Sequence, residues 1–379
     1  MCEKRYEQQR KDLIYLPQNG YERLKQADRD QMEDYCAQYK NFLDAAKTER
    51  EAVSETIRLA EQAGYLPWTP GLPVQAGARY YYNNRNKAIL LARIGQKPLE
   101  AGARITAAHI DSPRLDLKPN PLYEDAELAL FKTHYYGGIK KYQWPTVPLA
   151  LHGVIAKKDG TAISVCIGED DQDPVFCISD LLIHLAGDQM KKTLASGITG
   201  ESLNVIVGSV PLHDDDGADR VKFAILMLLH ERYGITEEDF LSAELSLVPA
   251  MRARDVGLDR SLIGAYGHDD RVCAFAALRP LLEEGTADYS SVCVLADKEE
   301  IGSEGVSGMQ SYCFETFLHE LCQGQSADFR RCFQNSMCLS ADVTNAFDPT
   351  FAEVHDKRNN ARINYGIALC KYTGARGKS

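Results

Sequence analysis

The sequence predicts an α/β fold, a mostly parallel sheet flanked by helices and interrupted by an inserted β-rich segment. Three observations carry that reading. Short, nearly continuous apolar runs at Ala88–Ala92, Ala103–Ala108, Ser291–Ala296 and Met337–Ala341 have the texture of strands covered on both faces. Helical patterns alternate with the later runs, as a parallel sheet requires for its crossovers. From about residue 118 to 247 prolines, glycines, aromatics and a hairpin take over, which reads as a separate small β-core. A chain of 379 residues is long enough for this division into 1–117, an insert at 118–247, and 248–379.

Taken in order, residues 28–64 are helical and charged. Thr48 and Glu51 have capping-box spacing, Val53, Ile57 and Ala60 form an apolar stripe, and Gly64 is the stop. β-like runs follow at Tyr80–Tyr82, Ala88–Ala92 and Ala103–Ala108. In the insert, Leu151–Ala156 and Thr161–Cys166 flank Asp159-Gly160 as a hairpin. Two amphipathic helices are expected at about 179–192 and 219–233. Around Glu244–Val248 the core pattern resumes, with helices at Arg271–Leu282, stopping near Gly285, and at Cys313–Gln323.

Net charge is −11 and the basic residues are scattered, which argues against nucleic acid or an anionic membrane as principal partner. The N-terminal residues are charged and lack a signal-peptide core, and the longest apolar run, Phe223–Leu229, is too short to span a bilayer. Eleven cysteines, none in a Cys-x-x-Cys arrangement, lie mostly in apolar stretches (Cys166, Cys177, Cys273, Cys293, Cys338, Cys370). They are expected to act as small hydrophobes in a reduced, cytoplasmic protein.

The chemistry-bearing residues gather where strands end. One strand runs into His109-Ile110-Asp111, another into Asp297-Lys298-Glu299-Glu300, and a third into Asp342. Asp269-Asp270-Arg271 opens a helix. In open α/β sheets, ligands bind at the carboxyl ends of strands, so residues distant in sequence converge there. Taken singly, His109 is more often a satisfied core histidine, Glu299-Glu300 a solvated turn, Asp269-Asp270 a helix cap and Asp342 a turn former. Together at element ends they argue for a divalent-metal site, one imidazole with several carboxylates suiting Zn²⁺, Co²⁺ or Mn²⁺. Asp111 is placed to accept the imidazole N–H turned away from a metal, and Glu299, beside a ligating Glu300, to take a proton from water. Other signatures fail. Gly302-Ser303-Glu304-Gly305 has Ile301 where a nucleophile elbow needs glycine, no phosphate loop is present, and His213-Asp214-Asp215-Asp216 reads as a solvated loop.

The segments AAHIDSPRLDLKPNPLYED (107–125), THYYGGIKKYQW (133–144), YGHDDRVCAFAAL (266–278), LADKEEIGSEG (295–305) and LSADVTNAFDP (339–349) occur in this order. They resemble the aspartyl-aminopeptidase-like family of dinuclear zinc metallo-aminopeptidases. The resemblance implies a zinc-exopeptidase-like core and two zinc ions per subunit. His109 and Asp342 would hold one ion, Asp270 would bridge, Glu300 would hold the other, Glu299 would be the general base, and Asp111 would support His109. It further implies that the insert is a dimerisation domain, that dimers build to a dodecamer, and that the substrate is a peptide cut at its N-terminus. The rival readings are another amidohydrolase, a carboxypeptidase or deacylase, and a non-catalytic assembly subunit.

The family pattern continues into a further segment carrying a final histidine ligand for the Glu300 metal. None of the nine histidines sits in that motif, His268 being nearest the site and His319 and His355 the other core candidates, so this position is expected to be under-ligated. A preference for acidic N-terminal residues would need a basic pocket group, for which Lys371, Arg376 and Lys378 are candidates.

Overall fold

A computed structural model describes residues 2–213, 216–283 and 285–370. The chain divides into two compact units, one of Met1–Gln38 with Asp342–Ser379, the other Tyr39–Ala341. In the first, helix Cys2–Leu13 precedes a 3-10 turn at Gly20–Glu22, whose Gly20 amide donates to the Asn364 carbonyl at 2.7 Å.

The larger unit is built on two large sheets, beside a two-stranded ribbon of Arg254–Val256 and Leu262–Gly264. Six strands form the first, in the order Leu66–Pro67, Arg79–Asn84, Ala88–Arg93, Ser291–Ala296, Arg104–His109, Met337–Ser340. Its centre is parallel, with Arg104–His109 flanked by Ser291–Ala296 and Met337–Ser340. Ala88–Arg93 runs antiparallel to both of its neighbours, while the other three adjacent pairs are parallel, so the sheet is mostly parallel as expected, with one reversed strand. The cause is local: Arg85 and Asn86, both at positive φ, turn the chain directly back as a hairpin and leave no room for a crossover helix.

Side-chain alternation buries both faces of the sheet. Ile105, Ala107, Val292 and Val294 pack with Phe317, Leu318 and Leu321 of helix Cys313–Gly324. Thr106 points to the opposite face and donates to the Ala277 carbonyl of helix His268–Leu282 at 3.2 Å. Helix Glu49–Gln62 starts at the expected capping box, with Thr48 and Glu51 each bonding the other's backbone amide. Val53 and Ala60 of the stripe are buried and Ile57 half-buried.

The second sheet has seven strands, in the order Ala162–Ile167, Leu149–Ala156, Ala243–Pro249, Arg114–Asp125, Leu128–Tyr136, Val205–Gly208, Cys177–Ile178. All neighbours are antiparallel. The strand at Glu244–Val248 therefore belongs here, paired with Leu149–Ala156, and not to the resumed core. Pro119 and Pro121 lie within Arg114–Asp125, in the stretch where its register slips between Leu117 and Leu122. Leu115, Phe131, Leu151 and Leu247 pack with Val221, Ile225 and Leu229 of helix Arg220–Tyr233.

The helix expected at 179–192 does not form. Residues 179–188 are turns and irregular chain, followed by a 3-10 turn at Gln189–Lys191, and Leu181, Leu182, Ile183 and Leu185 are exposed. The cysteine expectation holds only in part. Cys293 is buried, Cys177 and Cys273 are half-buried, and Cys166, Cys338 and Cys370 are exposed. Among the described residues no helix is long and apolar enough to cross a membrane.

Candidate metal centre

The site forms where the two central parallel strands end together. Ala296 is the register partner of His109, and the Ile110 amide continues the ladder by donating to the Ala296 carbonyl at 2.8 Å. His109 and the Asp297–Glu300 turn therefore leave the sheet at one edge. The His109 ring is 5% exposed, its Nδ1 3.7 Å from Asp270 Oδ1 and its Nε2 3.7 Å from Asp269 Oδ1. Both acids sit in the first turn of His268–Leu282, which starts after Gly267 at φ +78°. A Cβ on Gly267 would lie 2.7 Å from Nη1 of the fully buried Arg271, so only glycine fits this entry.

Asp111 is fully buried and lies beside His109. His109 Nδ1 lies 3.1 Å from the backbone carbonyl of Asp111 and 3.5 Å from its carboxylate. The carboxylate also accepts the Glu299 amide at 3.0 Å, the Glu300 amide at 3.2 Å and the Tyr136 hydroxyl at 2.7 Å. Burial would raise its pKa, but the hydrogen bonds from His109, Tyr136 and the Glu299 amide hold it below the usual value. Sequence reasoning missed Tyr136, although it lies in the quoted 133–144 segment, because nothing local points its hydroxyl at Asp111.

Glu299 is exposed and Glu300 half-buried, on a 3-10 turn that follows Lys298 in the left-handed region (φ +73°). Burial, then the Asp270 carboxylate, push Glu300 up to about 7. Burial likewise raises Asp270, whose Oδ1 has no hydrogen-bond partner among the described residues. Acids opposing one another around a buried, unpartnered carboxylate oxygen and an imidazole are what a divalent cation relieves, so this donor set fits zinc.

Asp342 opens the other compact unit, where its Oδ1 accepts the Val343 amide at 2.7 Å. Ala341, just before it, donates its amide to the Ala107 carbonyl at 2.8 Å. His268 is engaged through both ring nitrogens, Nδ1 3.0 Å from the Tyr39 hydroxyl and Nε2 2.8 Å from the Ile263 carbonyl. His213 is exposed. Asp214 and Asp215, like Lys371, Arg376 and Lys378, lie outside the described residues.

Residues 42–379 match the family model described as aminopeptidase I zinc metalloprotease (M18). The chain belongs to the M18 family. It is 51% identical over 349 residues to a probable M18 family aminopeptidase 1 of Clostridium acetobutylicum, covering 90% of this chain and 75% of that protein. A Thermotoga maritima M18 aminopeptidase crystal structure superposes with a TM-score of 0.90 at 43% identity, over 97% of this chain and 81% of that one. Aminopeptidase I of Clostridium acetobutylicum gives a TM-score of 0.89 at 47% identity, with the same coverages of 97% and 81%. An S. cerevisiae mApe1 dodecamer shares the fold, at 23% identity and a TM-score of 0.70 over 88% of this chain and 76% of that one. As an M18 protein the chain is a zinc metallo-aminopeptidase, a peptide hydrolase.

Proposed function

We propose that the M18 chain removes N-terminal residues from peptides with two zinc ions held at the end of the central strands. His109 and Asp342 are assigned to one ion, Asp270 to a bridging position, Glu300 to the other ion, and Glu299 to the general base. Cobalt or manganese would suit the same donors. Bound there, the metal would supply Lewis acidity toward the peptide carbonyl and lower the pKa of the attacking water.

The residues' own contributions follow from their placement. Glu299, exposed beside the half-buried Glu300, accepts a proton as water attacks the carbonyl carbon. It returns that proton to the amine nitrogen as the C–N bond breaks, so it ends the cycle ionised. Asp111 sets the direction of both glutamates through their backbone amides. Asp270, at the start of its helix beside His109, offers an unpartnered oxygen to the ion position.

The observation that carries the proposal is the register of His109 with Ala296, which brings an imidazole and the Glu299-Glu300 pair to one sheet edge. A peptide with a free amino terminus and its N-acetylated form decide the reaction. The reading expects hydrolysis of the first alone, lost on chelation and restored by zinc. Cleavage of the acetylated peptide, or turnover that survives complete metal removal, would overturn it.

Segment 118–247, with the sheet strands that flank it, is assigned to self-association, and the yeast neighbour that shares the fold is a dodecamer. Phe223, Met227 and Leu228 of helix Arg220–Tyr233 are exposed, as surfaces that meet a second copy tend to be. The enzyme is assigned to the cytoplasm, acting on peptides without nucleic-acid or membrane partners.

A further inference from the structure

Tyr136 ends strand Leu128–Tyr136 of the second sheet, yet its hydroxyl reaches Asp111 Oδ2 at 2.7 Å, beside the candidate metal centre. That oxygen also accepts the Glu300 amide, and its twin accepts the Glu299 amide. One carboxylate thus gathers a phenol from one sheet and two amides from the turn that follows the other. The phenol is itself firmly held. It is 7% exposed, and the Arg114 guanidinium lies 4.0 Å from the ring centre, held in turn by Glu49 at 3.2 Å. The next residue, Gly137, is at φ +73°, and a Cβ there would come within 3.0 Å of Glu300 Oε2, so the chain after Tyr136 lies against the Glu300 side chain.

The turn needs such a hold. Lys298 is a non-glycine residue at φ +73°, a conformation that costs energy unless its surroundings impose it. Asp111 supplies that constraint only while its carboxylate plane stays fixed, and the Tyr136 hydroxyl, nearer at 2.7 Å than His109 Nδ1 at 3.5 Å, is a side-chain donor that fixes it. We propose that Tyr136 is a positioning residue for peptide hydrolysis: acting through Asp111, it orients Glu299 and Glu300 and couples the second sheet to the metal centre. This rests on the assignment of Glu299 as base and Glu300 as ligand.

Tyr136→Phe removes the hydroxyl and keeps the ring over Arg114. Outer partners of this kind usually change metal affinity or activity by 10- to 100-fold. In the purified zinc enzyme we expect kcat to fall roughly 10- to 100-fold with KM within about twofold. Zinc affinity of the resting protein, read by chelator competition, should weaken while the melting temperature moves by only a few degrees. The cycle with Asp111→Asn should be strongly non-additive, Tyr136→Phe costing little once the carboxylate is gone. Unchanged kcat and zinc affinity in Tyr136→Phe, or additive losses in the cycle, would overturn the proposal. Glu299→Gln, assayed separately, reports on the base. Should it retain activity, that assignment fails, and the zinc-affinity arm of the cycle still decides whether Tyr136 acts through Asp111.

Discussion

Glu49 and Arg114 form a buried ion pair, Oε2 to Nη1 3.2 Å, between the first turn of helix Glu49–Gln62 and the first residue of strand Arg114–Asp125. Lys87 adds a second cation to Glu49 at 2.7 Å, and Arg114 also binds Asp116 at 2.7 Å. The pair thus joins the core helix to the second sheet directly beneath Tyr136. Burial would raise the Glu49 pKa, but Arg114 and then Lys87 outweigh it and hold the carboxyl at about 2.

A depressed acid stabilises the fold above its unfolded pKa and loses that contribution as pH falls through the folded value. For Glu49 the window runs from 4.5 down to about 2. Its contribution at neutral pH is about 3 kcal/mol. Denaturation curves between pH 7 and pH 3 should show wild type losing stability in acid more steeply than Glu49→Gln. The variant should already be weaker at pH 7 by about 3 kcal/mol, because Arg114 and Lys87 lose their buried counter-charge. Parallel pH profiles would contradict this.

Glu299→Gln should leave the ligands intact and bind zinc as wild type does. Its kcat is expected to fall roughly 10²- to 10⁴-fold. Zinc stoichiometry and steady-state rates measured on one preparation test this, and near-normal turnover with zinc bound would remove Glu299 from the base role.

Gly267→Ala places a methyl 2.7 Å from the Arg271 guanidinium and a side chain at φ +78°. Arg271 is fully buried, so its movement is restricted. A loss of about 1–3 kcal/mol is expected, with weaker zinc binding because Asp269 and Asp270 ride on that helix start. Chemical denaturation and chelator competition check the two effects, and an unchanged zinc affinity would mean that the helix start does not set the ligand geometry.

Sedimentation of the wild-type chain at micromolar concentration should give a particle several times the 42.2 kDa subunit mass. A single species at subunit mass would refute the assignment of segment 118–247 to self-association.

Much of the candidate site is legible in the sequence because its chemistry lies at element ends. His109 and the Asp297–Glu300 turn directly follow apolar runs that register as strands, and Asp270 lies in the first turn of a helix. Side-chain alternation and capping-box spacing are local properties, so strand Ser291–Ala296 and the Thr48–Glu51 box occur where the residues place them. The run around Leu181–Leu185 misleads for the same reason. It has helical spacing, yet its backbone closes in isolated turns such as Leu185 amide to Leu182 carbonyl at 2.8 Å.

By itself, then, the sequence determined which residue types stand at the ends of the core elements, and hence a carboxylate-rich, zinc-suited donor set in an M18 chain. Only the tertiary structure decided what those residues touch. It turned Ala88–Arg93 antiparallel, drew Ala243–Pro249 into the second sheet, and gave the Asp111 carboxylate to Tyr136 and to amides 188 and 189 residues away. Strand partners and buried hydrogen-bond partners are chosen by long-range competition for the same backbone and polar groups. A buried carboxylate takes whichever donors the packed elements bring within reach, and no spacing along the chain records which those will be.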